Sequence, residues 1–436
     1  MAWGKKAGVD DLLQKLNNPK TAKSLYVMST RSISDADFVR LASSISSNSL
    51  LEELYLSGHK VGAQGLQAFA DCLAVNSTLR HLSLGSEALG DDAVKTLSAG
   101  LARNAQSALE SWDLEFKSLG VDGAAAVGEL LRTNKSLKTV TLSRNQVGDE
   151  GVKKLVEGLG ENAEAAVKEL NVTDVGISGA GLDSLAALLE KESCSLTTLQ
   201  VSFNGLETAS SKFFDALKTN KSLKKLQMKE CKLTDEHVAA FAAALKQNST
   251  LMEVDLSDNE LTKASCASLT DGLRENKALK VLRLENNKCQ DEGAVLLADV
   301  LATDNTTLTH LDLGNNSLTS VGMTPLVKAK SVKELHMFNN KLGDGLSELL
   351  PVLLANSVIE TFGVGANQLH EALSVTLFDA LHSHPSLKTL EMGGNTLGQE
   401  GLNALDRLKA ANPSLDVAAD KNAQNEDGSF DPQIQQ

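Results

Sequence analysis

The stretch LMEVDLSDNEL at residues 251–261 decides the fold, because its spacing of leucine and asparagine recurs along the chain. Clear copies are LKVLRLENNKC at 279–289, LTHLDLGNNSL at 308–318 and LKTLEMGGNTL at 387–397. Weaker copies begin at Leu51, Leu79, Leu109, Leu137, Val167, Leu196, Leu223, Val332 and Ile359. These thirteen copies make twelve steps between Leu51 and Leu387, so the mean period is about 28 residues, which is typical of a leucine-rich-repeat array.

Each copy predicts a short strand followed by a helix. The LxLx alternation turns the leucines to one side of a strand, and the apolar residues after it, such as Val238, Phe241 and Leu245, have helical spacing. A single unit cannot bury its own apolar face, whereas stacked units bury a continuous core. The sequence therefore predicts an α/β solenoid with a parallel sheet along one side.

An asparagine recurs eight residues after the first leucine, where the chain leaves the strand. It is present as Asn145, Asn204, Asn259, Asn287, Asn316, Asn340, Asn367 and Asn395, and Cys231 replaces it in one copy. An amide there can satisfy backbone groups of neighbouring turns, which would otherwise be buried without partners. We expect a ladder of such side chains along the edge of the sheet.

Three early copies carry His59, Glu87 and Lys117 at this ladder position. A titratable side chain is costly to bury without a partner, so we expect these turns to bulge and the side chains to reach water. The alternative is that they belong to a contact patch with Phe116.

A second asparagine recurs three residues before the first leucine, as in Asn248 and Asn276. Because asparagine tolerates the left-handed conformation, we expect it to end each helix in that conformation.

Three segments are predicted. Residues 1–50 form an N-terminal cap with a degenerate repeat around Leu25 and Val27, residues 51–414 hold the thirteen repeats, and residues 415–436 form a closing strand and a short disordered tail. The step from Leu308 to Val332 is shorter than the others by about one helical turn, so we also expect a local change of curvature there.

With this period and a full helix in each repeat, the chain resembles the ribonuclease-inhibitor-like class of leucine-rich repeats over residues 22–417. The resemblance implies a curved horseshoe with strands on the concave side and helices on the convex side. The class also includes the repeat regions of NOD-like receptors, the GTPase activators of Ran and subunits of ciliary complexes. Such a range of proteins means that the fold alone does not fix the function.

Composition restricts the partners. A formal net charge of −14 argues against nucleic acid and anionic membranes, both of which require a basic surface. The N-terminal residues contain no apolar stretch long enough for a signal peptide, and the five cysteines are scattered. We expect a cytoplasmic protein, with association with the cytoskeleton or a cilium as the alternative.

Two candidate surfaces for a protein partner emerge from the repeat register. The first lies on the C-terminal half of the concave face and comprises Asp255, Arg283, Asp312, His336 and Phe338. Arginine and aromatic residues among charged residues are typical of binding hot spots, although every solenoid also has a solvated polar face. The second lies on the loops that leave the sheet and comprises Phe116, Phe203 and Arg144.

The residues do not indicate an enzyme, a cofactor, a metal site or a small-molecule substrate. His382 and His384 lack further ligands at suitable spacing, and acid pairs such as Asp149–Glu150 stand at predicted helix starts, where they cap N–H groups. We expect a non-catalytic scaffold or adaptor. The alternatives are a Ran-activator-like GTPase activator, with Arg144 stabilising charge in GTP hydrolysis, and a structural subunit of a large ciliary or cytoskeletal complex.

Overall fold

A computed structural model describes residues 8–419, which form two compact units: residues 8–216 with 222–226, and residues 217–221 with 227–419. The tail predicted for residues 420–436 lies outside the described residues, as do the first seven residues. The division along the chain falls within helix α8 (Lys212–Thr219) and within strand β8 (Lys225–Gln227).

The first unit contains a parallel sheet whose strands follow one another in chain order. Its strands are β1 (Ser24–Tyr26), β2 (Glu53–Ser57), β3 (His81–Gly85), β4 (Ser111–Asp113), β5 (Thr139–Thr141), β6 (Glu169–Asn171) and β7 (Thr198–Gln200). Its helices are α1 (Asp10–Leu16), α2 (Asp35–Ser46), α3 (Ala63–Leu73), α4 (Gly90–Ala102), α5 (Val121–Leu131), α6 (Gly148–Glu161) and α7 (Gly179–Leu189).

The second unit repeats this arrangement. Its strands are β9 (Glu253–Asp255), β10 (Val281–Arg283), β11 (His310–Asp312), β12 (Glu334–His336), β13 (Thr361–Gly363), β14 (Thr389–Glu391) and β15 (Asp416–Ala418). Its helices are α9 (Asp235–Leu245), α10 (Lys263–Glu275), α11 (Gln290–Thr303), α12 (Ser320–Leu326), α13 (Leu346–Ala355), α14 (Glu371–Ala380) and α15 (Gly398–Ala411), with 3₁₀ turns at Gly343–Gly345 and Leu381–Ser383.

The alternation of parallel strands and helices confirms the predicted leucine-rich-repeat solenoid within each unit. The division into a cap, thirteen repeats and a closing segment stays a prediction; β1 and β15 lie in its two outer segments. Helix α12 has 7 residues and contains Pro325, whereas α11 has 14, so the short step falls on a short helix. The expected change of curvature there stays a prediction.

The core consists of the inward strand residues and one face of each helix. Leu282 and Leu311, in register on β10 and β11, are fully buried, and so is Phe362 on β13. On α9 the predicted helical face is confirmed, since Phe241 and Leu245 are buried. Each buried side chain of this size contributes about 1.5–3 kcal/mol, so the repeats are stabilised mainly by stacking on their neighbours.

Glycines bring two helices of the first unit into close approach. A Cβ atom at Gly158 on α6 would overlap the carbonyl oxygen of Gly128 on α5. The two backbones therefore meet without an intervening side chain.

The predicted asparagine ladder satisfies the backbone of the preceding turn. The Oδ1 of Asn287 accepts hydrogen bonds from the N–H groups of Asn259 and Leu261 (3.1 and 2.9 Å), and its Nδ2 donates to the carbonyls of Leu256 and Leu284 (3.1 and 3.0 Å). Cys231 takes this position as expected: it is fully buried, and its Sγ donates to the carbonyl of Lys229 at 3.5 Å.

The asparagine three residues before the first leucine of each repeat does not adopt the expected conformation. Asn276 has φ −71° and ψ 132°, an extended conformation, so the predicted left-handed helix end is wrong. Its side chain bridges two repeats instead: Nδ2 donates to the carbonyl of Leu245, and Oδ1 accepts from the N–H of Leu279, both at 2.8 Å. Hydrogen-bonding capacity, rather than backbone tolerance, thus accounts for the residue.

The left-handed position lies one residue before the ladder residue. Its occupants with positive φ include Phe116, Arg144, Asp174, Phe203, Glu230, Asp258, Asn286, Asn315, Asn339 and Ala366. Asparagine and aspartate suit this conformation, whereas it is uncommon for a bulky side chain. The two phenylalanines are therefore held in a costly backbone geometry.

The acids at helix starts cap the following helix. The Oδ1 of Asp149, in the first turn of α6, accepts from the N–H groups of Ser178 and Gly181 at the start of α7 (2.7 and 2.9 Å). This confirms a capping role for Asp149 and shows that the cap links successive repeats.

Candidate binding surfaces

Two of the three unusual ladder residues are buried, which corrects the expectation that all three reach water. His59 and Lys117 are 4% and 2% exposed, whereas Glu87 is exposed as expected. The Nε2 of His59 lies 3.3 Å from the carbonyl of Val27, so the ring reaches the preceding turn as a ladder asparagine does. Burial lowers the pKa of His59, which favours a neutral ring that donates this hydrogen bond.

The side chain of Lys117 passes the ladder position of the preceding repeat, which the exposed side chain of Glu87 does not fill. Because Glu87 is exposed, the lysine extends to the strand two repeats earlier, where its Nζ donates to the Oγ of Ser57 at 2.9 Å. Burial lowers the pKa of Lys117, against the opposing effect of the Asp113 and Glu115 carboxylates. An ammonium has three N–H donors, and the hydrogen bond to Ser57 is the one that it makes within residues 8–419.

A cavity of about 410 Å³ lies beside this lysine, and we term it the N-terminal cleft. Its lining residues are Ser29, Ser57, Gly58, Ser86, Glu87, Asp113, Glu115, Phe116, Lys117 and Arg144. Phe116 is 55% exposed, and the Nε of Arg144 lies 3.6 Å from Glu115 Oε1. The structure thus brings Phe116 and Arg144 together, whereas Phe203 does not line this cleft.

An aromatic stack on the first strands is absent from the predicted surfaces. The rings of Tyr26 and Tyr55 stack with centroids 4.2 Å apart, and the ring of His81 lies 4.4 Å from that of Tyr55. Tyr26 and Met28 are 63% and 76% exposed. A signal was available, because the chain contains two tyrosines and they occupy the same position of two successive repeats.

The predicted surface of the C-terminal half lies on adjacent strands of the second unit. Arg283 is in register with Asp255 on β9 and with Asp312 on β11, and Asp312 is in register with His336 on β12. These four residues are partly exposed, and Phe338 just after β12 is 49% exposed. The guanidinium of Arg283 makes no ion pair in the part of the chain that the structure describes.

The surroundings of Arg283 are acidic. Burial raises the pKa of Glu285, and the neighbouring carboxylates of Asp312, Asp258 and Asp255 raise it further. Lys229 partly offsets this charge through an ion pair of 3.0 Å with Asp258. Acidic side chains therefore surround Arg283 on this surface.

His336 of this surface and two neighbouring side chains have the chemistry of metal ligands. One ligand atom each of His310, Glu334 and His336 lies within 4.8 Å of the others. His384, which was not expected to bind a metal, is a structural residue: its Nε2 lies 2.8 Å from the carbonyl of Leu353, and its Nδ1 accepts from the N–H of Leu387 at 3.1 Å.

The strand–helix repeats and their asparagine ladder define a leucine-rich-repeat protein of the ribonuclease-inhibitor-like class. A family model described as the MHP1/HER1/GIP3 LRR domain matches residues 22–316, and a leucine-rich-repeat model matches residues 383–405. The chain belongs to the family of the MHP1/HER1/GIP3 leucine-rich-repeat domain.

Several known proteins are similar to this chain. Ribonuclease inhibitor of Mus musculus is 27% identical over 355 residues, covering 78% of this chain and 70% of that protein. NACHT, LRR and PYD domains-containing protein 13 of Homo sapiens is 31% identical over 185 residues, covering 42% of this chain and 17% of that protein. The crystal structure of the Rad7 and Elc1 complex in yeast matches with a TM-score of 0.47 and 15% identity, covering 91% of this chain and 87% of that chain.

Leucine-rich-repeat proteins are generally non-catalytic protein-interaction scaffolds. None of the helices in residues 8–419 has the length and apolar character needed to span a bilayer.

Proposed function

We propose that the chain is a non-catalytic scaffold or adaptor that binds a protein partner through the exposed sheet face and the adjoining turns. The observation that carries the proposal is the N-terminal cleft, where the buried ammonium of Lys117 has N–H groups to spare beside the exposed ring of Phe116.

The cleft combines the features of a docking pocket. Arginine and aromatic side chains dominate binding hot spots, and the cleft holds Arg144 and Phe116. A carboxylate or main-chain carbonyl of a partner can accept from Lys117, in a site where burial strengthens the hydrogen bond. The neighbouring stack of Tyr26 and Tyr55 extends this surface with two amphipathic rings.

The test is a binding titration with a partner identified by proximity labelling in the native cell. Lys117→Met and the pair Phe116→Ala with Arg144→Ala are each expected to weaken binding at least tenfold. The matched control is Val75→Ala, since Val75 is a 63% exposed apolar residue of the same unit that does not line the cleft. Unchanged binding by both cleft variants contradicts the proposal.

Two other predicted contacts can be separated in the same titration. Arg283→Glu with Phe338→Ala tests the surface of the second unit, and Phe203→Ala tests an exposed ring outside the cleft. If only the variant with Arg283→Glu and Phe338→Ala loses binding, the partner binds the surface of the second unit.

A second candidate function is activation of a small GTPase. The observation in its favour is that the Arg144 side chain is 67% exposed on the rim of the cleft. An arginine supplied to a partner's active site stabilises charge in GTP hydrolysis. GTP hydrolysis by a panel of small GTPases, Ran included, is expected to accelerate with the protein and not with Arg144→Ala. An unchanged rate across the panel removes this candidate.

The structural-subunit hypothesis and the cytoplasmic location are tested by fractionation of the native cell. Recovery in the soluble fraction supports a cytoplasmic adaptor. Recovery in a detergent-insoluble cytoskeletal pellet supports a structural subunit of a ciliary or cytoskeletal complex.

A further inference from the structure

The sheet of the second unit carries two histidines side by side. His310 on β11 is in register with Glu334 on β12, and His336 lies two residues further along β12 on the same face. The ring centroids of the two histidines are 4.9 Å apart. Their side chains are 15% and 20% exposed, so both rings are largely shielded from solvent without being sealed from it.

Two glutamates complete the group. The Nδ1 of His310 lies 2.8 Å from Glu334 Oε2, and the Nδ1 of His336 lies 3.0 Å from Glu391 Oε2. When Glu391 accepts the Nδ1–H of His336, the lone pair of that ring is placed on Nε2. A carboxylate that orients a histidine in this way is the usual support of a metal ligand.

A glycine provides the room for this support. Glu391 stands two strands away from His336, and Gly363 on β13 lies between them in the register. A Cβ atom at Gly363 would lie 2.7 Å from Glu391 Oε2 and 3.2 Å from His336 Nδ1. The absence of a side chain on the intervening strand therefore lets Glu391 reach the histidine.

We propose that His310, Glu334 and His336 bind a divalent transition-metal ion, with Zn²⁺ as the probe. Two imidazoles and one carboxylate form a ligand set suited to such an ion, and Ca²⁺ and Mg²⁺ prefer oxygen ligands. The three ligand atoms lie within 4.8 Å of one another, whereas a tetrahedral zinc site requires about 3.3 Å, so side-chain shifts of roughly 1 Å close the site. A fourth position stays open for water or a partner's side chain.

The experiment is a titration of the full chain, stripped with a chelator, with Zn²⁺ in competition with a zinc-binding dye at neutral pH. One equivalent is expected to bind with micromolar or tighter affinity. His310→Gln with His336→Gln is expected to lose this binding while retaining the wild-type circular dichroism spectrum and melting temperature. Because the five cysteines are unchanged in this variant, binding by thiols survives in it and is thereby distinguished.

Two further variants sharpen the assignment. His382→Gln is the matched control, since His382 is a histidine of the same unit, 3.8 Å from Asp379, and is expected to leave binding unchanged. Gly363→Ala is expected to weaken Zn²⁺ binding about 10- to 100-fold by displacing Glu391 from His336.

Co²⁺ provides an independent spectroscopic readout. Visible absorption bands of a low-coordinate Co²⁺ ion are expected with the wild-type chain and not with the double variant. Absence of tight Zn²⁺ binding by the wild type, or its retention by the double variant, overturns the proposal. In that case the group consists only of two histidine–glutamate pairs.

Discussion

The turns of the two units differ in the residues at the ladder position. Where asparagine occupies it, the backbone of the preceding turn is satisfied, and where other residues occupy it in succession, the N-terminal cleft lies beside them. In the second unit the ladder asparagine recurs from Asn259 to Asn395 and satisfies each preceding turn. In the first unit His59, Glu87 and Lys117 stand at this position in three successive repeats, before asparagine returns as Asn145 and Asn204, and the cleft lies beside these three residues. The three successive departures from asparagine thus lie where this surface has a pocket, whereas the single departure at Cys231 is fully buried.

The largest expected effect is from loss of a ladder residue in the second unit. Asn287→Ala leaves the buried N–H groups of Asn259 and Leu261 without acceptors, so the free energy of unfolding is expected to fall by about 2–4 kcal/mol. Urea titration measures this change. The control is Lys288→Ala, which removes only an exposed ion pair with Glu260 and is expected to cost less than about 1 kcal/mol. Equal losses of unfolding free energy in Asn287→Ala and Lys288→Ala would contradict the role of the ladder asparagine.

The next largest effect is a pH dependence of the free energy of unfolding, which His59 contributes and the ladder asparagines do not. Because burial lowers the folded-state pKa of His59, the unfolded chain binds the proton more readily, and stability falls as the pH drops below 6.5. His59→Asn is expected to reduce this slope, which for one fully titrating group is at most about 1.4 kcal/mol per pH unit. Melting curves between pH 7.5 and 5 for both proteins provide the measurement. Identical slopes contradict the assignment to His59.

A smaller effect with the opposite sign is expected at Lys117. Lys117→Met keeps the length of the side chain and removes a buried charge, so the free energy of unfolding is expected to rise by about 1 kcal/mol. Asn145→Ala, in the next repeat, is expected to lower it, because Asn145 accepts from the N–H groups of Lys117 and Leu119. A loss of stability in Lys117→Met would assign the lysine to the scaffold rather than to binding.

The smallest effect concerns the left-handed position. Phe203 has φ +59° and is 45% exposed, so Phe203→Asn is expected to raise the free energy of unfolding by about 0.5 kcal/mol. The reciprocal change Asn339→Phe, at the same position of the second unit, is expected to lower it by a similar amount. If neither variant changes the urea midpoint, the strain attributed to the phenylalanines is wrong.

The strands, the helices and the ladder could be predicted because their residues recur at a fixed spacing. Leu282 and Asn287 follow from pattern alone, since most repeats place a leucine and an asparagine in the same surroundings. The predicted conformation of Asn276 is wrong, because the backbone propensity of asparagine does not reveal the hydrogen bonds to two repeats that hold the residue extended.

The sites could be predicted only in part, because they depend on distances across repeats. The position of Phe116 on its turn follows from the register. The burial of Lys117 does not, since it depends on the path of the turn that carries Glu87. Likewise His310 and His336 belong to different repeats and are distant in the sequence, and only the register of β11 with β12 brings their rings together.

The hydrogen bonds between repeats run in both directions along the chain. The carboxylate of Asp149 serves the helix that follows, whereas the amide of Asn287 serves the turn that precedes it. If one whole repeat is removed, the two repeats that become neighbours therefore present matching hydrogen-bond donors and acceptors. In the run of ladder asparagines from Asn259 to Asn395, the loss or gain of one whole period therefore restores the bonds of the ladder. A change of a few residues preserves these bonds where it falls in the helix, as in the short step before Val332, across which Asn340 still accepts from the N–H groups of Asn316 and Leu318.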